Sequence, residues 1–115
     1  MLTKEDVDNY LRDLKTKIPV FDMVILNRKK NQETFAELNI LNTKSFCTSE
    51  INKLTASNYY KGPTPDTENK GDYWEFGTVI NDKEIYIKIN YGLTNKSCLL
   101  ISFHFAEFRI TYPFA

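Results

Sequence analysis

Two short runs in the C-terminal half hold the side chains with chemical content. In Ile85-Tyr86-Ile87-Lys88-Ile89 and again in Leu99 to Phe105, apolar and polar residues alternate. That is the period of a pleated strand, whose successive side chains point to opposite faces. Ile85, Ile87 and Ile89 take one face, and Tyr86, Lys88 and Asn90 the other. In the second run the same rule sends Leu99, Ile101, Phe103 and Phe105 to the core and Leu100, Ser102 and His104 away from it. A phenol, an ammonium, a hydroxyl and the chain's single imidazole then share one face, and these are parts for proton transfer and oxyanion stabilisation. Polar side chains also line the wet face of any antiparallel sheet. Alternation alone therefore leaves Tyr86 and Lys88 as ordinary strand residues and His104 as an ordinary surface histidine.

The elements that must position these residues follow from the rest of the pattern. Thr3 caps a first helix, with Glu5 and Asp6 near the positive end of its dipole. Val7, Leu11, Leu14 and Ile18 recur on one face, and the stripe ends near Pro19. Val20 to Leu26 reads as a short strand. After the basic turn Asn27-Arg28-Lys29-Lys30, residues 32 to 39 predict a helix with Phe35 and Leu38 on one side. Another is predicted over 44 to 55, where Phe46, Cys47, Ile51 and Leu54 share a face. Residues 62 to 72 are crowded with turn formers and predict an exposed, mobile loop. Strands are predicted over 73 to 80, 84 to 91 and 97 to 105, joined by connections short enough to demand an antiparallel meander. Helices first and strands last predict an α+β fold, a single domain over residues 1 to 115 with the N-terminal helices packed on one face of a C-terminal antiparallel sheet.

Composition narrows the function classes. The 42% hydrophobic content and four glycines and four prolines belong to a folded domain. Fifteen Lys+Arg against fifteen Asp+Glu cancel, so no global field draws the chain to nucleic acid, and any phosphate attraction must come from a local cluster. Two cysteines, Cys47 and Cys98, are too few for a disulfide scaffold and read as small buried hydrophobes of a reducing cytosol. One histidine and two separated cysteines do not assemble a zinc site, and no paired acidic motif suggests another metal. No apolar run has the length of a signal-peptide core or membrane span, so the expected location is the cytoplasm, away from membranes.

Several spaced motifs carry a resemblance. Leu54-Thr55-Ala56-Ser57-Asn58-Tyr59-Tyr60-Lys61 is followed by Asp66, by Trp74-Glu75, by Glu84-Ile85-Tyr86-Ile87-Lys88-Ile89 and by Leu100-Ile101-Ser102-Phe103-His104. In order, spacing and residue type, over roughly residues 44 to 104, this resembles the MqsR-like toxins of the RelE superfamily. The resemblance implies a RelE-like fold, endonucleolytic cleavage of messenger RNA, and neutralisation by a cognate antitoxin, of the kind that carries a helix-turn-helix domain. By position, Lys61 matches a lysine of that family, Tyr86 a tyrosine and Lys88 the lysine of the same strand. Glu75 stands where the family's namesake has glutamine, and His104 where it has lysine.

Such chemistry requires no cofactor. RNA supplies its own nucleophile, the 2′-hydroxyl, so an enzyme must remove that proton, steady the phosphate and protonate the leaving 5′-oxygen. On the resemblance, Glu75 and His104 are the candidate base and acid, with their order open, since imidazole in general titrates near neutrality. Lys61 and Lys88 would hold the phosphate, Tyr86 would orient it or stack on a base, and Tyr60 and Tyr73 are candidate stacking platforms. Trp74 opposes Tyr73 and Glu75 in phase and is expected in the core, as is one of Tyr59 and Tyr60. The alternative is a RelE-fold module that binds protein or RNA through the same face without cutting, which the acidic Glu75 and the absence of net charge favour.

Overall fold

The computed structural model describes residues 1–115, the whole of this chain. Three helices, α1 (Lys4–Phe21), α2 (Lys29–Glu37) and α3 (Thr43–Lys53), accompany five strands, β1 (Met23–Ile25), β2 (Tyr59–Pro65), β3 (Asp72–Ile80), β4 (Lys83–Asn90) and β5 (Cys98–Phe105). The strands form one sheet in the order β1-β5-β4-β3-β2. The fold is α+β as expected, but the sheet is mixed, because β1 runs parallel to β5 while the other three pairings are antiparallel. No helix is long and apolar enough to cross a membrane.

Helix α1 starts at a capping box in which the Thr3 hydroxyl accepts from the Asp6 amide and the Asp6 carboxylate accepts from the Thr3 amide. Its stripe Val7, Leu11, Leu14 and Ile18 is buried. The helix does not stop at Pro19. Proline removes one backbone donor but leaves the turn that follows it free to continue, and α1 runs on to Phe21, where Asp22 at φ 74° breaks it. The expected strand over 20–26 shrinks to Met23–Ile25 as a result. The predicted loop over 62–72 is likewise shorter: Gly62 to Pro65 belong to β2 and Asp72 to β3, leaving a tight connection at 66–71.

The core lies between the helices and one face of the sheet. Phe35, Cys47 and Ile51 join the α1 stripe against Trp74, Phe76, Ile85, Ile87, Ile89, Leu100 and Phe103. Trp74 stacks on Tyr10 with ring centroids 4.0 Å apart. Tyr59 is the buried member of the tyrosine pair, and Tyr60 is half-exposed. Both cysteines are free and buried, and burial pushes the Cys47 thiol up to about 12.

Beyond β1 the edge of β5 is closed by α2 rather than by a strand. The fully buried Asn31 amide donates to Ile101 O at 3.1 Å and accepts from the Phe103 amide at 2.9 Å, and the Thr34 hydroxyl accepts from the Phe105 amide. Two side chains thereby satisfy the backbone groups that an edge strand leaves unpaired. At the other end of β5, Lys17 is buried because its ammonium donates to the carbonyls of Tyr91 and Leu93 and lies 4.0 Å over the Tyr91 ring. That contact ties the β4–β5 connection to α1.

Candidate active site

The central strands set the site. β3 and β4 meet through a two-residue turn, Asn81-Asp82, both at positive φ, which residues with short polar side chains tolerate. The pairing that follows aligns Glu75 with Lys88 and Gly77 with Tyr86. On the far sides, Lys61 of β2 is opposite Glu75, while Ser102 and His104 of β5 are opposite Lys88 and Tyr86. Two rows result on the face away from the core: Lys61, Glu75, Lys88 and Ser102 in one, and Gly77, Tyr86 and His104 in the next.

Strand β5 departs from simple alternation. Lys88 pairs with Ser102 but Ile89 pairs with Leu100, so Ile101 is an extra residue and the phase inverts before it. Leu100 therefore lies in the core, where Leu99 was expected, and Leu99 is half-exposed. Ile101 is buried on the site face instead, 2% exposed and outside the core cluster. Ser102 and His104, beyond the bulge, keep the assignment that alternation gave them.

At the centre, the Tyr86 hydroxyl donates to Glu75 Oε1 at 2.5 Å, with Tyr86 9% and Glu75 8% exposed. Burial, reinforced by that bond and by the Glu75 charge, pushes the Tyr86 phenol far above the usual tyrosine range. Tyr86 is thus a hydrogen-bond donor and not a base. Its ring lies 5.4 Å from the His104 imidazole, whose Nδ1 is 3.0 Å from Phe105 O. No hydrogen bond or ion pair joins Glu75 to His104, and Tyr86 stands between them. Lys88 Nζ lies 4.1 Å over the Tyr73 ring and Lys61 Nζ 6.0 Å from the Tyr60 ring. Neither lysine is in an ion pair, although each is aligned with Glu75 from an adjacent strand.

The face is bounded rather than flat. The segment 106–115, for which alternation gave no role, crosses it from β5 toward β2. The Glu84 carboxylate accepts from the Ile110 amide and the Tyr112 hydroxyl, Ile110 is buried, and Phe108 packs on Tyr86 and Tyr60 with centroids 5.6 Å away in each case. A side chain at Gly77 would collide with the Tyr112 hydroxyl and with Ile110 Cδ1. At the other end the 66–69 turn forms a wall. Burial raises the Asp66 carboxyl, but hydrogen bonds from the Asn90 side chain, the Glu68 amide, and the Asn69 side chain and amide outweigh it and hold it at about 2. Asp66 is therefore the organiser of this turn.

Comparison with protein-family models, characterised proteins and solved structures finds no match for this chain. The side chains themselves define what the site can do chemically.

They divide between a centre and two flanking hollows. A hollow of about 300 Å³ runs from His104 to Lys30, Glu33 and Glu107. A second, of about 320 Å³, takes in Lys88, Tyr73, Ile101, Arg28 and the 64–69 segment. Sequence reasoning missed Arg28, which it saw only as part of a basic turn, and Phe108. The density of aromatics after Phe105 was the available signal that the C-terminal segment packs against something.

Proposed function

We propose that this chain is a metal-independent endoribonuclease, the toxin of a toxin–antitoxin pair, which cuts messenger RNA in the cytoplasm by attack of the 2′-hydroxyl on the adjacent phosphate. The observation that supports it is the hydrogen-bonded Glu75–Tyr86 pair, with Lys61 and Lys88 aligned with Glu75 on the two adjacent strands, neither in an ion pair, and with the only imidazole of the chain beside the Tyr86 ring. Glu75 Oε1 is held by the Tyr86 proton, which leaves Oε2 to accept the proton of the attacking 2′-hydroxyl. Lys61 and Lys88, one on each side of the carboxylate, neutralise the phosphate as its charge builds, an effect worth about 2 to 3 kcal/mol per preorganised donor. His104, on the far side of Tyr86, protonates the leaving 5′-oxygen. Tyr60 and Tyr73 offer rings beside the two lysines, and stacking on them contributes about 1 to 3 kcal/mol per base. That local attraction offsets the zero net charge.

The fold class and the motifs from Leu54 to His104 make RelE-like toxins the best precedent, and the partner this implies is an antitoxin with a helix-turn-helix domain. One observation favours a second reading, a binding module that does not cut: Glu75 is only 8% exposed. Induced expression of the wild type against His104→Ala separates the two. Growth arrest with fragmented transcripts in the wild type alone supports the nuclease; equal growth and intact transcripts in both strains leave the binding module.

A further inference from the structure

The hollow between β3, β4 and the 66–69 turn has the chemistry of a nucleotide pocket. Its polar wall holds two cations, Arg28 and Lys88, and Tyr73 and Ile101 supply apolar surface. At about 320 Å³ it is at the small end of ligand pockets, the size for one nucleotide rather than a peptide or a protein surface. It also borders the central pair, since Lys88 is aligned with Glu75.

Two carboxylates line the same hollow, and they differ. Asp66 is consumed by hydrogen bonds from its own turn and from the Asn90 side chain of β4. Glu68 is not: its side chain is 74% exposed and reaches Arg28 Nη2 at 3.6 Å, a loose, solvent-facing contact that contributes little to stability. A phosphate oxygen offers the same guanidinium a stronger and better-shaped partner.

We propose that this hollow is a subsite for one phosphate-bearing nucleotide of a single-stranded RNA, next to the cleaved position, with the Glu68 carboxylate holding Arg28 as an exchangeable stand-in for that phosphate. The choice of RNA rests on the endoribonuclease reading; the anion site and its built-in competitor rest on the hollow. When RNA binds, Glu68 swings into solvent, Arg28 takes the phosphate, and the base lies against Tyr73 and Ile101. No covalent step is involved.

The test is binding of a short, structureless RNA whose 2′-hydroxyls are all methylated, so that it cannot be cut, followed by fluorescence anisotropy across a salt series. Arg28→Gln is expected to weaken binding roughly tenfold and lower the salt slope by about one. Glu68→Gln is expected to tighten it by about threefold, because the competitor is gone. A tightening is not what loss of a structural contact produces. Binding unchanged in both variants while the wild type still cuts RNA overturns the subsite and leaves the nuclease reading intact. Binding that follows the expected pattern with no cutting of unmodified RNA keeps the subsite and removes the nuclease. Displacement of the oligonucleotide by inorganic phosphate at equal concentration also overturns the proposal, since it makes the hollow a site for the free anion.

Discussion

Replacing Tyr86 by Phe removes a single oxygen from the centre of the site and leaves the ring that packs on His104 and Phe108 in place. What is lost is the 2.5 Å bond to Glu75 Oε1, and the acceptor it leaves behind is on a side chain 8% exposed. A hydrogen bond to a charged group contributes about 1.5 to 3 kcal/mol. For a chain of this length that corresponds to a fall in Tm of roughly 6 to 12 °C. Because the two groups act on each other, Tyr86→Phe and Glu75→Leu should not add: the double variant should be about 1 to 2 kcal/mol more stable than the sum of the single losses. Calorimetric or denaturant unfolding of the four proteins measures this coupling. The phenol also has a pH signature. Its folded-state pKa is raised, so the stability it contributes is complete below the ordinary tyrosine value of about 10 and declines as pH rises above it. Tyr86→Phe should flatten part of that alkaline decline. Additive losses within about 0.3 kcal/mol, with an unaltered alkaline limb, would refute the view of Glu75 and Tyr86 as one unit.

Three further outcomes follow from the fold. Asn31→Ala should cost about 2 to 4 kcal/mol in denaturant unfolding, because Ile101 O and the Phe103 amide lose their buried partner together; a loss under about 1 kcal/mol would mean water replaces it freely. Asp66→Asn should flatten the acid limb of stability: a carboxyl held at about 2 contributes in full above its ordinary value and loses that contribution as pH falls toward 2, so the difference from wild type should shrink with acidification. Gly77→Ala forces a Cβ into the Tyr112 hydroxyl and Ile110, and should expose the 106–115 segment to proteolysis at a cost of about 1 to 3 kcal/mol; unchanged protection there would show that the segment does not rely on Gly77 for its seat.

The parts of this fold that were legible in the sequence are those whose local pattern is uninterrupted. The Val7 to Ile18 stripe and the Ile85, Ile87 and Ile89 alternation each state a period and a buried face without help from elsewhere. The places where reading failed each involve a distant partner. Ile101 reads as one more core position in an alternating run, and only pairing with β4 shows the bulge that turns it to the other face. The parallel pairing of Met23 with Cys98 spans most of the chain and leaves no local mark. Asn31 looks like an ordinary polar helix residue, yet the edge of β5 makes it a buried surrogate strand. At the site, residue type and strand phase were enough to assemble Tyr86, Lys88 and His104, and resemblance added Glu75 and Lys61. Arg28 stayed hidden because the hollow it lines is built by the sheet and the 66–69 turn together. The C-terminal segment stayed hidden because packing over Gly77 needs no period of its own.

The most direct test of the central claim is incubation of the purified protein with a structureless RNA in excess chelator, followed by analysis of the new ends. Attack by the 2′-hydroxyl expels the 5′-oxygen, so the expected products are fragments ending in a 2′,3′-cyclic phosphate paired with fragments beginning in a free 5′-hydroxyl, and His104→Ala should slow their formation by roughly a hundredfold or more while leaving the fold intact. An RNA left whole by the wild type, cutting that appears only when a divalent metal is restored, or fragments that begin with a 5′-phosphate would contradict the account.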